Sequence, residues 1–528
     1  MLFTSYSFIA FLAVLVAAYW LVPKKWQWGL LLIGSYAFYA FSGLGNLIFI
    51  LATTLSSFFA ACLMDNNRKR EEDYLSQNRE TLQKEERKAY KAGEKKKRFG
   101  ILIGALVLNF GILAVIKYTA FAVSNFNSLI ALFGAEKLTV PSLLLPMGIS
   151  FYIFQTMGYL IDVYRGRAET EKNIFKFALF VSFFPQLVQG PISRFSQLGG
   201  QLTAPHSFSG REFTFGLQRV LWGFFKKLVI ADRILVAMNV MLDSPESFKG
   251  AYVVLLILLY SAEIYADFTG GIDMTIGIAQ MLGIKLTENF NRPFSSHSTK
   301  EYWNRWHITM GSWFTDYVFY PLSVCRPMMK LSKFSRKTFG AKIGKRIPVY
   351  LATIVTWFLT GLWHGAGWNF IVWGLLNCLV ILVSQELEPL YAKFRKRFPR
   401  LTSSGAYGNF MAVRTFLLMG LIRSLDCYRN VGLTFSMWGS MFTHMKLSEL
   451  WRGFEVIGLG VPDLIILAVA ILAVFFVSCA SAKGSVREWL WERPALSWTL
   501  CGALFLAVVL FGAYSIGYDG AQFIYNQF

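Results

Sequence analysis

The stretch VYLATIVTWFLTGLWHGAGWNFIVWG, residues 349–374, decides the fold class of this chain. Two apolar runs, 349–363 and 368–383, flank the short segment 364–367, which holds His364 and two glycines. Each run is shorter than the roughly 20 residues of a straight transmembrane helix. The pattern predicts a membrane segment that is broken between the runs. Such a break is stable only inside protein or beside a water-filled cavity.

The composition extends this interpretation to the whole chain. Of 528 residues, 55% are hydrophobic and 16% are charged, whereas soluble domains carry roughly 25% charged residues. Apolar segments also recur near 5–22, 29–41, 46–64, 100–123, 143–162, 174–190, 251–268, 409–424, 463–480 and 496–514. We therefore predict an all-α polytopic membrane protein with about 11 transmembrane helices, in a range of about 10 to 12. Re-entrant or interfacial helices are expected in addition.

Basic residues give the chain a formal net charge of +21, and they cluster between apolar segments as the positive-inside rule predicts. Residues 66–98 mix basic and acidic side chains, which predicts a solvated, cytoplasmic helical hairpin. Residues 326–346 are basic without an acid and are predicted to form a cytoplasmic loop. Anionic membrane lipids are the expected electrostatic partner. Nucleic acid is not expected, because no groove-reading motif occurs.

The cysteines and histidines predict neither a metal site nor a bound cofactor. The six cysteines stand singly, without metal-ligand spacing, and are expected to behave as small buried hydrophobes. They are Cys62, Cys325, Cys378, Cys427, Cys479 and Cys501. With only 5 histidines in the chain, each of them can be considered separately.

Residues 291–321 contain the first histidine of interest. Ser298 followed by Glu301 forms a capping box, so a helix is expected to begin there. One stripe of that helix carries the residues Trp303, Trp306, His307, Met310, Trp313 and Tyr317. Two interpretations are open, an aromatic-belt helix with a satisfied histidine or a functional His307, and this segment taken alone favours the first.

His364 lies at the predicted break of the stretch 349–374. Glycines at 361, 365 and 367 interrupt the helix there, and an ionisable group at such a position indicates function. The alternative is a histidine at an interfacial turn, and we favour the functional interpretation.

Two acids, Glu263 and Asp267, interrupt the apolar run 251–268. They are four residues apart and share a helix face, and their cost in lipid indicates that they face protein or an aqueous cavity. They either orient a catalytic group or pair with an arginine such as Arg292 or Arg305. We favour structural pairing.

Two further segments are predicted to be irregular. Pro185 and Pro191 should bend or end a span and produce a re-entrant turn. The amphipathic stretch 212–242 is expected to lie along the interface or to form a broken span.

The order of several motifs resembles the membrane-bound O-acyltransferase family, in particular its bacterial alginate O-acetylation type. The matching stretches are FFPQLVQGPI (183–192), YADFTGGIDMTIGIAQMLGI (265–284), NFNRPF (289–294), YWNRWHITMGSWFTDYVFYPL (302–322) and GLWHGAGWNF (361–370), with RSL at 423–425. The two histidine motifs together are specific, whereas neither alone would be. The resemblance implies a ring of helices around a central tunnel, with residues 1–425 as the acyltransferase core and 66–98 as an insertion in it. Residues 426–528 would form a C-terminal transmembrane extension.

The resemblance also implies the chemistry, which is transfer of an acyl group from a thioester to a hydroxyl. His364 takes the place of the catalytic histidine, and His307 that of the second, assisting histidine. Residues expected to line or support the tunnel are Asn304, Arg305, Trp303, Trp306, Trp363, Trp368, Asn369, Asp267 and Glu263. A neutral imidazole can accept the hydroxyl proton. Trp368, Asn369 or backbone N–H groups at the glycine break are candidates for stabilising the oxyanion.

The expected function is therefore a multi-pass O-acyltransferase of the bacterial inner (plasma) membrane. It would move an acyl group, expected to be acetyl, from cytoplasmic acetyl-CoA or an acyl-carrier thioester across the membrane. The acceptor would be a hydroxyl of an extracytoplasmic polysaccharide or of a partner protein of the acetyltransferase or hydrolase-like kind. The alternatives are D-alanyl transfer to teichoic acid, a transporter or flippase that uses Glu263, Asp267 and the histidines as a proton relay, and a scaffold.

Overall fold

The computed structural model describes residues 3–514 of the chain, so the end of the predicted extension, 515–528, lies outside the described residues. The described part is helical, and its only β pairing is an isolated bridge between Phe290 and Trp306. This agrees with the predicted all-α class. Two compact units are present, Met1–Phe213 with Ala279–Leu286, and Thr214–Ile278 with Thr287–Phe528.

The first eight helices belong to the first unit. They are α1 (Tyr6–Leu21), α2 (Gln27–Ala40), α3 (Leu47–Gln77), α4 (Lys84–Ala131), α5 (Ile149–Arg165), α6 (Ile174–Ser182), α7 (Phe184–Gln189) and α8 (Phe195–Thr203).

The remaining helices lie in the described residues after α8. They are α9 (Gly210–Phe224), α10 (Asp232–Asp243), α11 (Ala251–Met281), α12 (Thr299–Arg305), α13 (Ile308–Phe314), α14 (Tyr320–Val324), α15 (Arg326–Gly344), α16 (Ile347–His364), α17 (Trp368–Arg397), α18 (Pro399–Thr402), α19 (Gly405–Tyr428), α20 (Val431–Thr443), α21 (Ser448–Val456), α22 (Val461–Ser481), α23 (Val486–Trp491) and α24 (Pro494–Phe511).

Seven helices of the described residues are long and apolar enough to cross a membrane: α3, α4, α11, α16, α17, α22 and α24. Helix α1 and the segment Ile174–Gln189 are apolar but shorter. These helices agree with a multi-pass membrane protein. The count of about 11 spans and the central tunnel stay predictions.

The predicted hairpin at 66–98 is present, as the polar ends of α3 and α4 joined by a turn. Paired charges hold its two arms together: Arg98 Nη1 donates to Glu71 Oε2 at 2.6 Å and to Asn67 Oδ1 at 2.9 Å. Helices therefore extend beyond the apolar segments because their polar ends make ion pairs and hydrogen bonds of their own.

The prediction of a loop at 326–346 is wrong, because these residues form helix α15, with one kink at Gly340 (φ 77°). Lysine, arginine, methionine and leucine are all good helix formers. Repulsion between like charges one turn apart costs only a few tenths of a kcal/mol. The absence of acidic residues between positions 326 and 346 therefore does not prevent helix formation.

The segment after α6 is interrupted as predicted, since α6 ends at Ser182 and α7 begins at Phe184. Gln186 is buried and donates from Nε2 to the carbonyl oxygen of Pro191 at 3.0 Å. A buried amide thus satisfies backbone that lies outside a helix after the end of α7.

The hairpin of α16 and α17 positions the second candidate histidine. Its break lies where predicted, because α16 ends at His364 and α17 begins at Trp368. A Cβ added at Gly361 would meet the carbonyl oxygen of Phe370 at 2.4 Å, and one at Gly374 would meet that of Trp357 at 2.4 Å. The two helices therefore approach each other backbone to backbone, which only glycine permits at these positions.

Candidate active site

His307 lies in a break between two short helices. The helix predicted from Ser298 begins there, with Ser298 Oγ accepting from the amide of Glu301 at 3.2 Å. The predicted continuation through His307 is wrong, because α12 ends at Arg305 and His307 has a left-handed backbone (φ 48°, ψ 53°). Trp306 and His307 therefore do not share a helical stripe with Trp303.

Residues 289–291 cause this break by pairing with the chain around His307. The amide of Asn291 donates to the carbonyl oxygen of Arg305 at 2.9 Å, and that of Ile308 to the carbonyl oxygen of Asn289 at 3.0 Å. These two bonds replace the helical hydrogen bonds that the chain gives up between α12 and α13. They also hold His307 in a conformation that non-glycine residues seldom adopt.

The side chain of Asn289 fixes the His307 imidazole. Asn289 Oδ1 accepts from the Thr309 amide at 3.1 Å and from Thr309 Oγ1 at 2.9 Å. His307 Nδ1 lies 3.2 Å from the same oxygen. Because the Thr309 amide can only donate, this atom must be the amide oxygen, so Nδ1 carries the proton. The second ring nitrogen of a neutral His307, Nε2, is then the basic one.

His364 is the last residue of α16, and its side chain is half-buried. Its ring centroid lies 5.0 Å from that of Trp363 and 4.6 Å from that of Trp373. The ring of His307, which is fully buried, lies 5.9 Å from the same Trp363 ring. The structure thus brings the two histidines, 57 positions apart in sequence, to one indole.

Tryptophan side chains pack together on the His364 side of the site. Trp303 packs edge-on against Trp373 with ring centroids 5.5 Å apart, and against Trp357 at 5.0 Å. Its indole Nε1 donates to Asn377 Oδ1 at 3.2 Å. Trp357, Trp373 and Asn377 were not among the site residues predicted from the sequence. The four-residue spacing of 373 and 377 along α17 was the signal that could have indicated a shared face.

Arg423 is a further residue that the sequence analysis did not single out, although the RSL motif contains it. Its guanidinium lies 4.1 Å from the centroid of the Trp306 ring and donates from Nη2 to the Tyr302 hydroxyl at 2.9 Å. Trp306 stacks on Tyr302. A buried cation–π contact of this kind fixes Trp306 beside His307.

Two predicted support residues, Asn304 and Arg305, belong to the last turn of α12. Asn304 is exposed, and Arg305 forms an ion pair with Glu301 at 2.6 Å and a hydrogen bond with Ser295 Oγ at 2.7 Å. The Arg305 side chain thus holds the local turn, and its backbone contributes to the position of His307.

The acid Asp267 is paired, as favoured, but with a lysine and not with Arg292 or Arg305. Asp267 Oδ1 lies 2.6 Å from Lys227 Nζ, which also lies 2.7 Å from Asp232. Lys227 belongs to a π-helical segment, Phe225–Ala231, which connects α9 and α10.

Glu263 is also buried, on α11, and it makes no ion pair within residues 3–514. Lys227 and Asp267 lie on elements far apart in the sequence, so their ion pair could not be predicted from the sequence.

Trp368 and Asn369 lie at the tip of the α16–α17 hairpin. With Gly367 and Asn430 they line a cavity of about 720 Å³. Trp368 is 57% exposed, whereas Asn369 is buried. Within the described part of the chain, the Asn369 side-chain nitrogen Nδ2 has no hydrogen-bond acceptor. A buried donor of this kind, five positions after His364 in the sequence, is suited to binding an oxyanion.

A family model described as the membrane-bound O-acyltransferase family matches residues 167–425, a range that contains both histidines, Asn289 and Arg423. A probable alginate O-acetylase of Azotobacter vinelandii is 33% identical over 74% of this chain and 69% of its own length. A peptidoglycan O-acetyltransferase of Helicobacter pylori is 30% identical over 72% of this chain and 68% of its own length. A teichoic acid D-alanyltransferase of Bacillus subtilis is 26% identical over 49% of this chain and 62% of its own length.

Proposed function

Because this chain belongs to the membrane-bound O-acyltransferase family and is a multi-pass acyltransferase, we propose that it acetylates hydroxyl groups of an extracytoplasmic polysaccharide. The acetyl group comes from a cytoplasmic thioester, acetyl-CoA or an acyl carrier protein, and crosses the membrane within the bacterial inner membrane. The convergence of His307 and His364 on Trp363 is the observation that carries this proposal.

His364 serves as the general base in the proposed reaction. It takes the proton of the acceptor hydroxyl while the hydroxyl oxygen attacks the thioester carbonyl carbon. Asn369 Nδ2 donates to the oxyanion that forms. When the carbon–sulfur bond breaks, the leaving thiolate receives the proton that His364 holds. The products are the ester and the free thiol.

His307 assists from its position beside the same Trp363 indole. Its backbone and its Nδ1 are held by the segment 289–291, so its Nε2 has a fixed position. A neutral imidazole in this orientation accepts a hydrogen bond at Nε2 and can position the hydroxyl or the thioester next to His364.

The direction of transfer is supported by the two ends of the α16–α17 hairpin. Helix α16 has 18 residues, and so it is about 27 Å long. Basic α15 precedes its first residue, and Arg346 pairs with Glu386 of α17 at that end. Under the positive-inside rule this end faces the cytoplasm, and His364 then lies near the opposite membrane surface, where an external acceptor arrives.

The same arrangement supports a proposed donor and a proposed partner. The basic surface of α15 attracts an anionic thioester such as acetyl-CoA or an acyl carrier protein. On the other side, an extracytoplasmic acetyltransferase or hydrolase-like partner would pass the group to the polysaccharide. Similarity to a teichoic acid D-alanyltransferase keeps D-alanyl transfer as the alternative.

The test compares the O-acetyl content of surface polysaccharide in cells that carry the wild-type gene, His364→Ala, His444→Ala or no gene. His444 is an exposed histidine and serves as the matched control. We expect acetyl esters with wild type and His444→Ala, and their loss in the other two strains with His364→Ala present at normal membrane levels. Unchanged acetyl content in His364→Ala would refute the role of His364. D-alanyl esters lost in place of acetyl esters would instead support the alternative.

A further inference from the structure

A second cavity, of about 640 Å³, lies apart from the tip of the α16–α17 hairpin. Its apolar wall comes from two membrane-crossing helices, with Val474 and Val477 of α22 and Leu500 and Leu504 of α24. Only 11% of the apolar window of each of these helices is buried inside the protein. Their other faces therefore meet lipid chains, and the cavity adjoins the part of the protein that the bilayer covers.

Another part of the cavity lining is charged. Arg219 pairs with Asp273 at 2.8 Å and with Glu288 at 2.6 Å. Lys226 reaches the other oxygen of Asp273 at 2.6 Å. These two bases and two acids balance each other, so together they leave no net charge to attract a ligand.

Arg292 adds a positive charge to this balanced set. It lines the cavity, and its guanidinium makes no ion pair or hydrogen bond with the described residues. Its backbone is left-handed (φ 47°), a conformation in which glycine is usual. Arg487 also lines the cavity, with its guanidinium 5.6 Å from the centroid of the Phe215 ring. The charged wall therefore has an excess of positive charge.

We propose that this cavity is a binding site for an anionic phospholipid. One acyl chain lies between α22 and α24, and the phosphate lies at Arg292. A cavity with one apolar wall beside the bilayer and one cationic wall matches an amphiphile with an anionic head. The volume lies within the range of roughly 300–1,000 Å³ that is usual for small-molecule sites.

The lipid would contact a segment that supports the candidate active site. Phe290 and Asn291 also line the cavity, and they directly follow Asn289, which holds His307. Phe290 packs on Trp306 with ring centroids 5.0 Å apart. A bound lipid is thus expected to stabilise the segment 289–292. The lipid site itself does not depend on which acyl group the protein transfers.

The test uses the purified full-length protein in detergent, stripped of lipid. It is then incubated with phosphatidylglycerol or with phosphatidylcholine of identical chains, and native mass spectrometry counts the bound lipids. We expect one phosphatidylglycerol per chain, bound more tightly than phosphatidylcholine. Arg292→Gln should weaken phosphatidylglycerol binding about fivefold, because one basic residue near a lipid surface contributes about 1 kcal/mol. Arg292→Lys keeps the positive charge and should retain phosphatidylglycerol binding.

Matched substitutions test the location of the lipid. Leu504→Trp fills the cavity and should abolish binding, whereas Leu506→Trp on the exposed face of the same helix should not. Val477→Trp and Val469→Trp form the same pair on α22, in case Leu504→Trp fails to fold.

Three outcomes would overturn the proposal. One is equal binding by the cavity-filling and control variants of both pairs. Another is wild-type binding of phosphatidylcholine as tight as that of phosphatidylglycerol. The third is displacement of phosphatidylglycerol by an equal concentration of glycerophosphoglycerol, which lacks acyl chains, or of coenzyme A. That result would assign the cavity to a water-soluble phosphate.

Discussion

Asn289→Ala is the most informative single change, because one oxygen of this residue accepts from three donors. The substitution removes Asn289 Oδ1 and leaves His307 Nδ1 and the Thr309 amide without their acceptor, both in a buried setting. The Thr309 hydroxyl can rotate to another acceptor, but the other two donors are fixed. Each buried donor without a partner costs about 1–3 kcal/mol, so two of them predict a loss of about 2–6 kcal/mol of folding free energy.

The same change should slow the reaction. Without Asn289 the His307 ring is free to rotate and to change tautomer, which misplaces Nε2. A misplacement of about 1 Å costs on the order of 10²-fold in rate. We expect kcat for acetyl transfer to fall by that factor with little change in KM, since the donor-binding surface stays intact.

The assay measures acetyl transfer and thermal unfolding of purified wild type, Asn289→Ala and Asn291→Ala in the same detergent. Asn291 is an exposed asparagine in the same segment, so its substitution keeps the backbone pairing and the His307 contact. Asn291→Ala should behave like wild type. Equal kcat and equal unfolding midpoints for the two variants would refute the assignment of Asn289 as the residue that holds His307.

Three other predictions concern residues around the site. Gly365→Ala should lower the unfolding midpoint by overpacking worth about 1–3 kcal/mol, because a Cβ there would meet the Phe370 ring at 2.1 Å. Gly502→Ala should not lower it, because no atom of the described residues would lie within 4 Å of the added Cβ. Asn369→Ala should reduce kcat by about 10²–10³-fold with KM nearly unchanged, and a larger effect on KM than on kcat would contradict its oxyanion role. Lys227→Met should destabilise the protein by about 3–5 kcal/mol by leaving the Asp267 carboxylate buried without its cation. Adding Asp267→Asn to Lys227→Met should restore part of the lost stability. If the effects of the two substitutions on the free energy of unfolding were additive, the ion pair would be refuted.

Local patterns predicted much of the fold. The apolar segments, the hairpin at 66–98, the helix start at Ser298 and the break after His364 all depend on residues close together in sequence. Hydrophobic runs, capping residues and glycines act within one or two helical turns, and so their effect can be recognised from the sequence itself.

The chemistry of the histidines was only partly predictable. The motifs selected His307 and His364, but they gave His307 a place in a continuous helix, and they selected Asn304 and Arg305 as support residues. Helical spacing describes side-chain direction correctly only while the helix continues. It contains no information about a distant segment that competes for the same backbone hydrogen bonds.

The sequence by itself therefore determined that this chain is a helical membrane protein. It also identified His307 and His364 as the candidate functional histidines. Only the tertiary structure decided how those histidines are held. Asn289 and His307 are 18 positions apart, and Arg423 and Tyr302 are 121 apart. A buried polar group needs a partner, but the identity of that partner depends on which segments pack together, and this packing is a property of the whole fold.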